Sequence, residues 1–287
     1  TQNKDYKPRI AQKIKVMMIT RPNCKINLGL NVVERRPDGY HNLETVFYPV
    51  PLCDELVLEE SETDQIEVKG IPVDGDVFDN LVWRAVKMLR AAGHDIPPIR
   101  VVLTKNIPNG AGLGGGSSDA AFMIKMLNEN FSLGLSVEEM ERMAVTLGAD
   151  CAVFIQNKPV FAEGIGNVFS PIELNLSGWF LVLVKPDDFI STREAYSAVT
   201  PCRPLYDLKD LVADSVETWN GRMVNDFEKS VFPLHPVVQG IRDRLYELGA
   251  DYASMSGSGS SVFGLFRNPI DVGNEFSDHF LYTCVLP

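Results

Sequence analysis

The residues of this sequence with the types to handle a phosphate gather in one run. Residues 105–121 read KNIPNGAGLGGGSSDAA, with glycine at 110, 112, 114, 115 and 116. Glycine accepts positive φ and lets a ligand approach the backbone closely. A helix N-terminus adds unpaired N–H groups and the positive end of a dipole. An alternating apolar stretch, 99–104, precedes the run, and AAFMIKML follows it. The pattern predicts strand, glycine turn and helix N-terminus, which is a cradle for phosphate. Ser117, Ser118 and Asp119 are expected to cap that helix. A flexible linker would be polar throughout, whereas this run carries Leu113 and sits between apolar elements. Gly110, Gly112 and Gly115 also satisfy G-x-G-x-x-G. A dinucleotide fold, however, places that turn after its first strand, with an acid about 20 residues on. A Walker loop ends in Gly-Lys-Ser/Thr, and this one ends in Gly-Ser-Ser.

Other candidates are scattered along the chain. In RPNCKINLGLNVV, Lys25, Asn27, Gly29 and Asn31 share one face of a period-2 strand, opposite Ile26, Leu28 and Leu30. That polar face reads equally as a solvated surface or as the wall of a cleft. Tyr40 and His41 directly follow the turn Pro37-Asp38-Gly39, where loops carry function. On position alone, an exposed aromatic and an exposed histidine are the simpler reading. Asp150 lies in LGAD, between a helix stop and an apolar run. It is either an N-cap or an acid tuned by burial and a nearby lysine.

The elements that must position these groups are legible as patterns. Strands are predicted over 16–20 and on through 33, and over 43–50. Two more surround SETDQ within 54–68. Helices are predicted over 80–92, with Asp79 or Asn80 as cap and Gly93 as stop, and after the Ser136/Glu139 capping box. Beyond a hinge at Asn157-Lys158-Pro159 come strands over 160–162 and 179–184, and a short helix over 192–199 capped by Ser191. A helix over 236–248 follows, with Pro at its start and Gly after its end. Strands at 252–255, 261–266 and 280–286 suggest a small antiparallel sheet, with the Gly/Ser loop 256–260 inside it.

Composition bounds the function. The chain has 287 residues, 45% hydrophobic and 23% charged, with a formal net charge of −11. That is enough for a large core in one or two domains. The acidic balance excludes a basic nucleic-acid footprint, and no apolar run reaches the about 18 residues of a membrane span. The five cysteines are scattered, without metal spacing or a disulfide framework, which points to a cytoplasmic protein. The N-terminal TQNKDYKPRIAQKIK is polar and mildly basic, without the apolar core of a secretory signal, and reads as a frayed extension.

Three stretches taken together, PNCKINLGL with DGYH, PNGAGLGGGSSDAA, and SMSGSGSSVFG, resemble in this order the three motifs of the GHMP kinase superfamily. The likeness runs from about Ile19 to the end. It implies an α+β fold of two lobes: an N-terminal α/β lobe resembling a ribosomal-protein-like fold, over 1–157, and a ferredoxin-like C-terminal lobe, over 158–287. It implies an ATP-dependent kinase with Mg²⁺ as counter-ion of the nucleotide; no protein ligand is assigned to the metal, and Ser117 or Ser118 is placed to meet the ion or a phosphate oxygen. The DGYH and LGAD segments are similar to members that act on a cytidine diphosphate-linked polyol. Asp150 then matches the catalytic base, and Lys25 the lysine beside it. Asn80 and the loop of Pro108, Asn109, Gly110, Ala111, Gly112, Leu113, Gly114, Gly115, Gly116, Ser117 and Ser118 match nucleotide contacts. Asn27, Tyr40, His41, Thr192 and Tyr196 match substrate contacts: Tyr40 stacks on cytosine, His41 hydrogen-bonds it, and Tyr196 closes the other side. Cys24, and Ser256 with Ser260, are small-for-small departures from the motifs. A monomer or weak homodimer is expected, with no nucleic-acid or membrane partner. The alternatives are a mevalonate- or homoserine-type kinase and a nucleotide-binding sensor without turnover.

Overall fold

A computed structural model describes residues 17–287, so the expectations for the N-terminal extension and for Val16 lie outside the described residues. The chain runs β1 Met17–Thr20, β2 Asn23–Arg35, β3 His41–Cys53, β4 Glu55–Glu60, β5 Gln65–Gly70, α1 Leu81–Ala91 and β6 Ile99–Lys105. It continues with α2 Gly115–Asn130, α3 Val137–Leu147, α4 Val153–Gln156, β7 Val160–Glu163, β8 Val168–Pro171 and β9 Phe180–Lys185. The remainder is α5 Thr192–Tyr196, α6 Leu208–Leu211, α7 Glu228–Leu234, α8 Pro236–Glu247, β10 Tyr252–Met255, β11 Val262–Phe266 and β12 Phe280–Val285.

Two sheets build the first lobe. One has the order β1-β4-β6-β5, antiparallel except for the β5/β6 pair; the other is the antiparallel sheet β2-β3-β7-β8. Helix α1 places Val82, Val86 and Leu89 against Leu56, Leu58 and Leu103 of the first sheet, and Ile124 and Leu127 of α2 close the same core. Each such side chain contributes roughly 1.5–3 kcal/mol by leaving water. The second lobe is the antiparallel sheet β10-β11-β9-β12, with α8 laying Val238, Ile241 and Leu245 on it. This is the α+β, two-lobed architecture expected. Strand pairing holds β7 and β8, residues 160–171, in the first lobe's sheet, so part of the chain after position 157 belongs structurally with what precedes it.

Local signals explain most starts and stops. Asn80 caps α1 by accepting from Val82 N at 2.9 Å. Ser136 and Glu139 form the reciprocal capping box of α3. The short helix after Ser191 ends at Tyr196 instead of 199. The apolar run after Asp150 coils into α4. The largest departure is at α2, which begins at Gly115 with Gly114 as N-cap at φ 70° and no side-chain cap bond. Ser117, Ser118 and Asp119 therefore sit inside the helix and do not cap it. Glycine reaches the left-handed region at no steric cost, so Gly114 closes this helix start without a side-chain cap.

Candidate active site

The glycine loop is held by its backbone. Leu113 O accepts from Lys25 N at 3.0 Å, and Ala111 O accepts from Ser261 N at 3.2 Å. Gly112 O accepts twice, from Lys25 Nζ at 2.8 Å and from Ser256 Oγ at 3.0 Å. A Cβ on Gly112 would collide with the Ser256 carbonyl, so the bend is built for glycine. Pro108, Ala111, Leu113, Gly115 and Ser118 are buried, while Asn109, Gly110 and Gly116 face outward. The first-turn N–H groups of α2 have no intrahelical acceptor. They point where an anion would be held.

Cavities lie on both sides of this rim. One of about 300 Å³ is lined by Val68, Val73 and Leu81 together with Asn80, Lys105, Asn109, Gly116 and the acidic residues Asp74, Asp76, Asp79 and Asp119. The other, about 340 Å³, is lined by Lys25, Asn27, Gly112, Gly114, Ser117, Asp150, Thr192 and Tyr196. A molecule lying across Gly112–Ser117 would reach from one to the other.

Lys25 and Asp150, 125 positions apart in the chain, come together in the second cavity. Lys25 lies on β2, buried, and its Nζ is 3.4 Å from Asp150 Oδ2. Asp150 sits on the short 3₁₀ turn Ala149–Cys151, and its side chain is 35% accessible, so the carboxylate can be reached from the cavity. Lys25 Nζ also donates to Asn27 Oδ1 at 2.6 Å. With Gly112 O, two of its protons have acceptors, and the ammonium keeps an ion-pair contact with Asp150. Asn27, expected as a substrate contact, lines the cavity but commits its side-chain oxygen to Lys25.

The outer wall is aromatic. Tyr196 on α5 stacks on His41 with ring centres 4.7 Å apart and planes 19° apart, and meets Phe227 edge-on. Burial, and then the Asp150 carboxylate, push the Tyr196 phenol up to about 12. Tyr40 stands 63% exposed beside the turn. The structure thus pairs Tyr196 with His41, where the family pattern paired it with Tyr40. Thr192, exposed at the start of α5, lines the same cavity.

Sequence reasoning missed several groups here. The Gly/Ser loop 256–260, which the family likeness put near the phosphates, does complete the cavity wall with Gly257 and Ser258, so it is not one of the missed groups. Lys105 is buried between Asp54 and Asp119, with Asp119 Oδ2 at 2.7 Å. Asp54 also accepts from Ile107 N at 2.8 Å, which ties the start of the glycine loop to β4's edge. Burial pushes the Asp119 carboxyl up to about 8. The only cue in the sequence was a lysine just ahead of the glycines, and its partners are 51 and 14 positions away.

Comparison with known proteins places these features in context. Residues 80–158 match the family model for the GHMP kinases N terminal domain, and 208–280 match the GHMP kinases C terminal model. A Parabacteroides distasonis protein named 4-diphosphocytidyl-2-C-methyl-D-erythritol kinase is 54% identical, covering 92% of this chain and 98% of its own. Proteins of that name from Bacteroides fragilis and Porphyromonas gingivalis are 56% and 46% identical, over 87% and 94% of this chain and 92% and 100% of their own. A crystal structure of 4-(cytidine 5'-diphospho)-2C-methyl-D-erythritol kinase superposes with a TM-score of 0.73 at 34% identity, over 88% of this chain and 91% of its own. A homoserine kinase from Cytophaga hutchinsonii, at 17% identity and TM-score 0.65 over 96% of each chain, shares the fold.

Proposed function

The chain belongs to the GHMP kinases, and from that membership we propose that it transfers the γ-phosphoryl group of ATP to the 2-hydroxyl of 4-diphosphocytidyl-2-C-methyl-D-erythritol, in the non-mevalonate route to isoprenoid precursors. One observation carries the chemistry: an ammonium and a reachable carboxylate, 3.4 Å apart, share a cavity with the glycine-lined N-terminus of α2.

In this reading the nucleotide base occupies the slot beside Asn80, and the triphosphate crosses 108–118 over the N–H groups of α2. Phosphoryl transfer depends on positioning and charge stabilisation more than on covalent help. Asp150 accepts the proton of the substrate 2-hydroxyl as its oxygen bonds to the γ-phosphorus. The bond to the β-phosphate oxygen breaks, and ADP leaves. Lys25 offsets the charge growing on the attacking oxygen. The cytosine ring enters between Tyr40 and Tyr196, displacing the His41 ring, which then hydrogen-bonds the base edge. Thr192 and Asn27 border the polyol. Binding energy far from the reacting oxygen thereby sets the geometry.

Mg²⁺ would accompany the triphosphate. Among the described residues no three His, Cys, Asp or Glu side chains gather as a cation cage. Ser117 and Ser118 fit as protein oxygens for it, since Ser118 Oγ is buried at the helix start without a hydrogen-bond partner. The ion supplies neutralisation of phosphate charge. The five cysteines are free thiols, which supports a reducing, cytoplasmic setting. A monomer or weak homodimer suffices, since every group invoked comes from one chain.

Coupled ADP production with a panel of alcohols tests the assignment. Turnover should require the cytidylated polyol, with mevalonate and homoserine inactive. Equal turnover of either would favour another small-alcohol kinase, and nucleotide binding without ADP release would favour a sensor.

A further inference from the structure

We infer that Thr45 is a positioning residue for the lysine beside the base, acting through the amide of Asn27. The inference rests on the reading of Lys25 above. Thr45 lies on β3, 1% exposed, and its hydroxyl donates to Gly29 O at 2.6 Å. A hydroxyl has one hydrogen, so the side of Thr45 Oγ1 facing Asn27 offers only lone pairs. Asn27 Nδ2 meets it at 2.9 Å. The two ends of an asparagine amide have nearly the same shape, and their hydrogen-bond partners decide which way it faces. With Nδ2 turned to Thr45, Oδ1 must face Lys25 Nζ. The reversed amide would press N–H donors against an ammonium and leave one proton of Lys25 without an acceptor.

The chain of contacts begins in a backbone irregularity. The β2/β3 register shifts between Leu28 and Leu30, and Gly29 sits in that bulge at φ 66°. Its carbonyl is thereby taken out of the ladder and turned toward Thr45. Leu208 fills the space where a side chain at 29 would go. From the bulge the order passes through Thr45 and Asn27 to Lys25, which is ion-paired with Asp150. A hydroxyl filling a buried hole would need none of this directionality.

The test is a set of variants in the ADP-release assay, with folding checked by circular dichroism. Thr45→Val keeps the shape and removes the hydroxyl. It should lower kcat by about 10²-fold, the size expected of a small misplacement of reacting groups, with both KM values little changed. Thr45→Ser should recover most of the rate. On an Asn27→Ala background Thr45→Val should cost little more, because the two act in series. Raised KM values with kcat intact, no recovery by serine, or losses that multiply on the Asn27→Ala background would each overturn the inference. A readout free of turnover separates it from the functional reading. In the protein without substrate, the Lys25 ammonium signal in ¹⁵N NMR should exchange slowly with water, and faster in Thr45→Val or Thr45→Ala. Unchanged exchange sinks the role of Thr45, while absence of ADP release by the wild-type protein strikes the functional reading alone.

Discussion

At the scale of single residues, the polar atoms around Lys25 have specified partners. Lys25 donates to Asn27 and Gly112 and is ion-paired with Asp150. Asp150→Asn removes the proton acceptor but keeps the shape, so kcat should fall about 10²–10⁴-fold, the range for a general base. ATP affinity, measured by calorimetry, should survive. Tyr40→Ala should raise KM for the cytidylated substrate and leave ATP affinity alone; an equal loss of both would remove the stacking role. Here the sequence was half legible. Alternation placed Lys25 and Asn27 on one face of β2, but alternation does not say what that face meets. Asp150 was ambiguous between cap and acid, because its lysine comes from a distant strand. The roles of Asn27 and Thr45 depend on which end of an amide faces which neighbour, and no spacing encodes that.

At the scale of elements, caps and periodicity were the readable part. The α3 box was visible as Ser136 and Glu139, and Ser136→Ala should cost about 1 kcal/mol in urea unfolding. The start of α2 was misread because serines and an aspartate near a helix start look like caps, whereas Gly114 turns the backbone by itself. Another device joins elements that the sequence left separate. The His235 ring, between α7 and α8, lies 2.8 Å from Asp188 and 3.3 Å from Glu194 of α5. Its hydrogen bond to Asp188, above all, raises its pKa above the ordinary 6.5. A group raised in the folded state stabilises fully below its unfolded pKa and loses that contribution as pH climbs through the folded value. The Tm of the wild-type protein should therefore carry a decline that begins near pH 6.5 and extends above it. In His235→Gln that part of the slope should vanish; an identical slope would mean the ring does not latch the wall of the cavity.

At the scale of the whole molecule, the two-lobed plan came from the likeness of three motifs to a known family, while patterning alone showed only mixed strands and helices with a small antiparallel sheet near the end. The ionic anchor beneath the glycine loop was legible in neither. Lys105→Met would leave the Asp54 carboxylate buried without its cation, and removing one partner of a buried pair costs roughly 3–5 kcal/mol, readable by urea unfolding. Asp119 adds a pH signature. Its carboxyl is pushed up to about 8 by burial, from 3.8, so the folded state holds a proton that the unfolded state releases, and stability falls as pH rises across that interval. Asp119→Asn should flatten the fall. The bonds to Gly112 O carry a last consequence. Ser256 from the second lobe and Lys25 from the first both grip a peptide oxygen, an atom that no point substitution can delete. The floor of the cleft is thus fastened across the lobe boundary at a point that mutation of a side chain can loosen from either side but cannot remove.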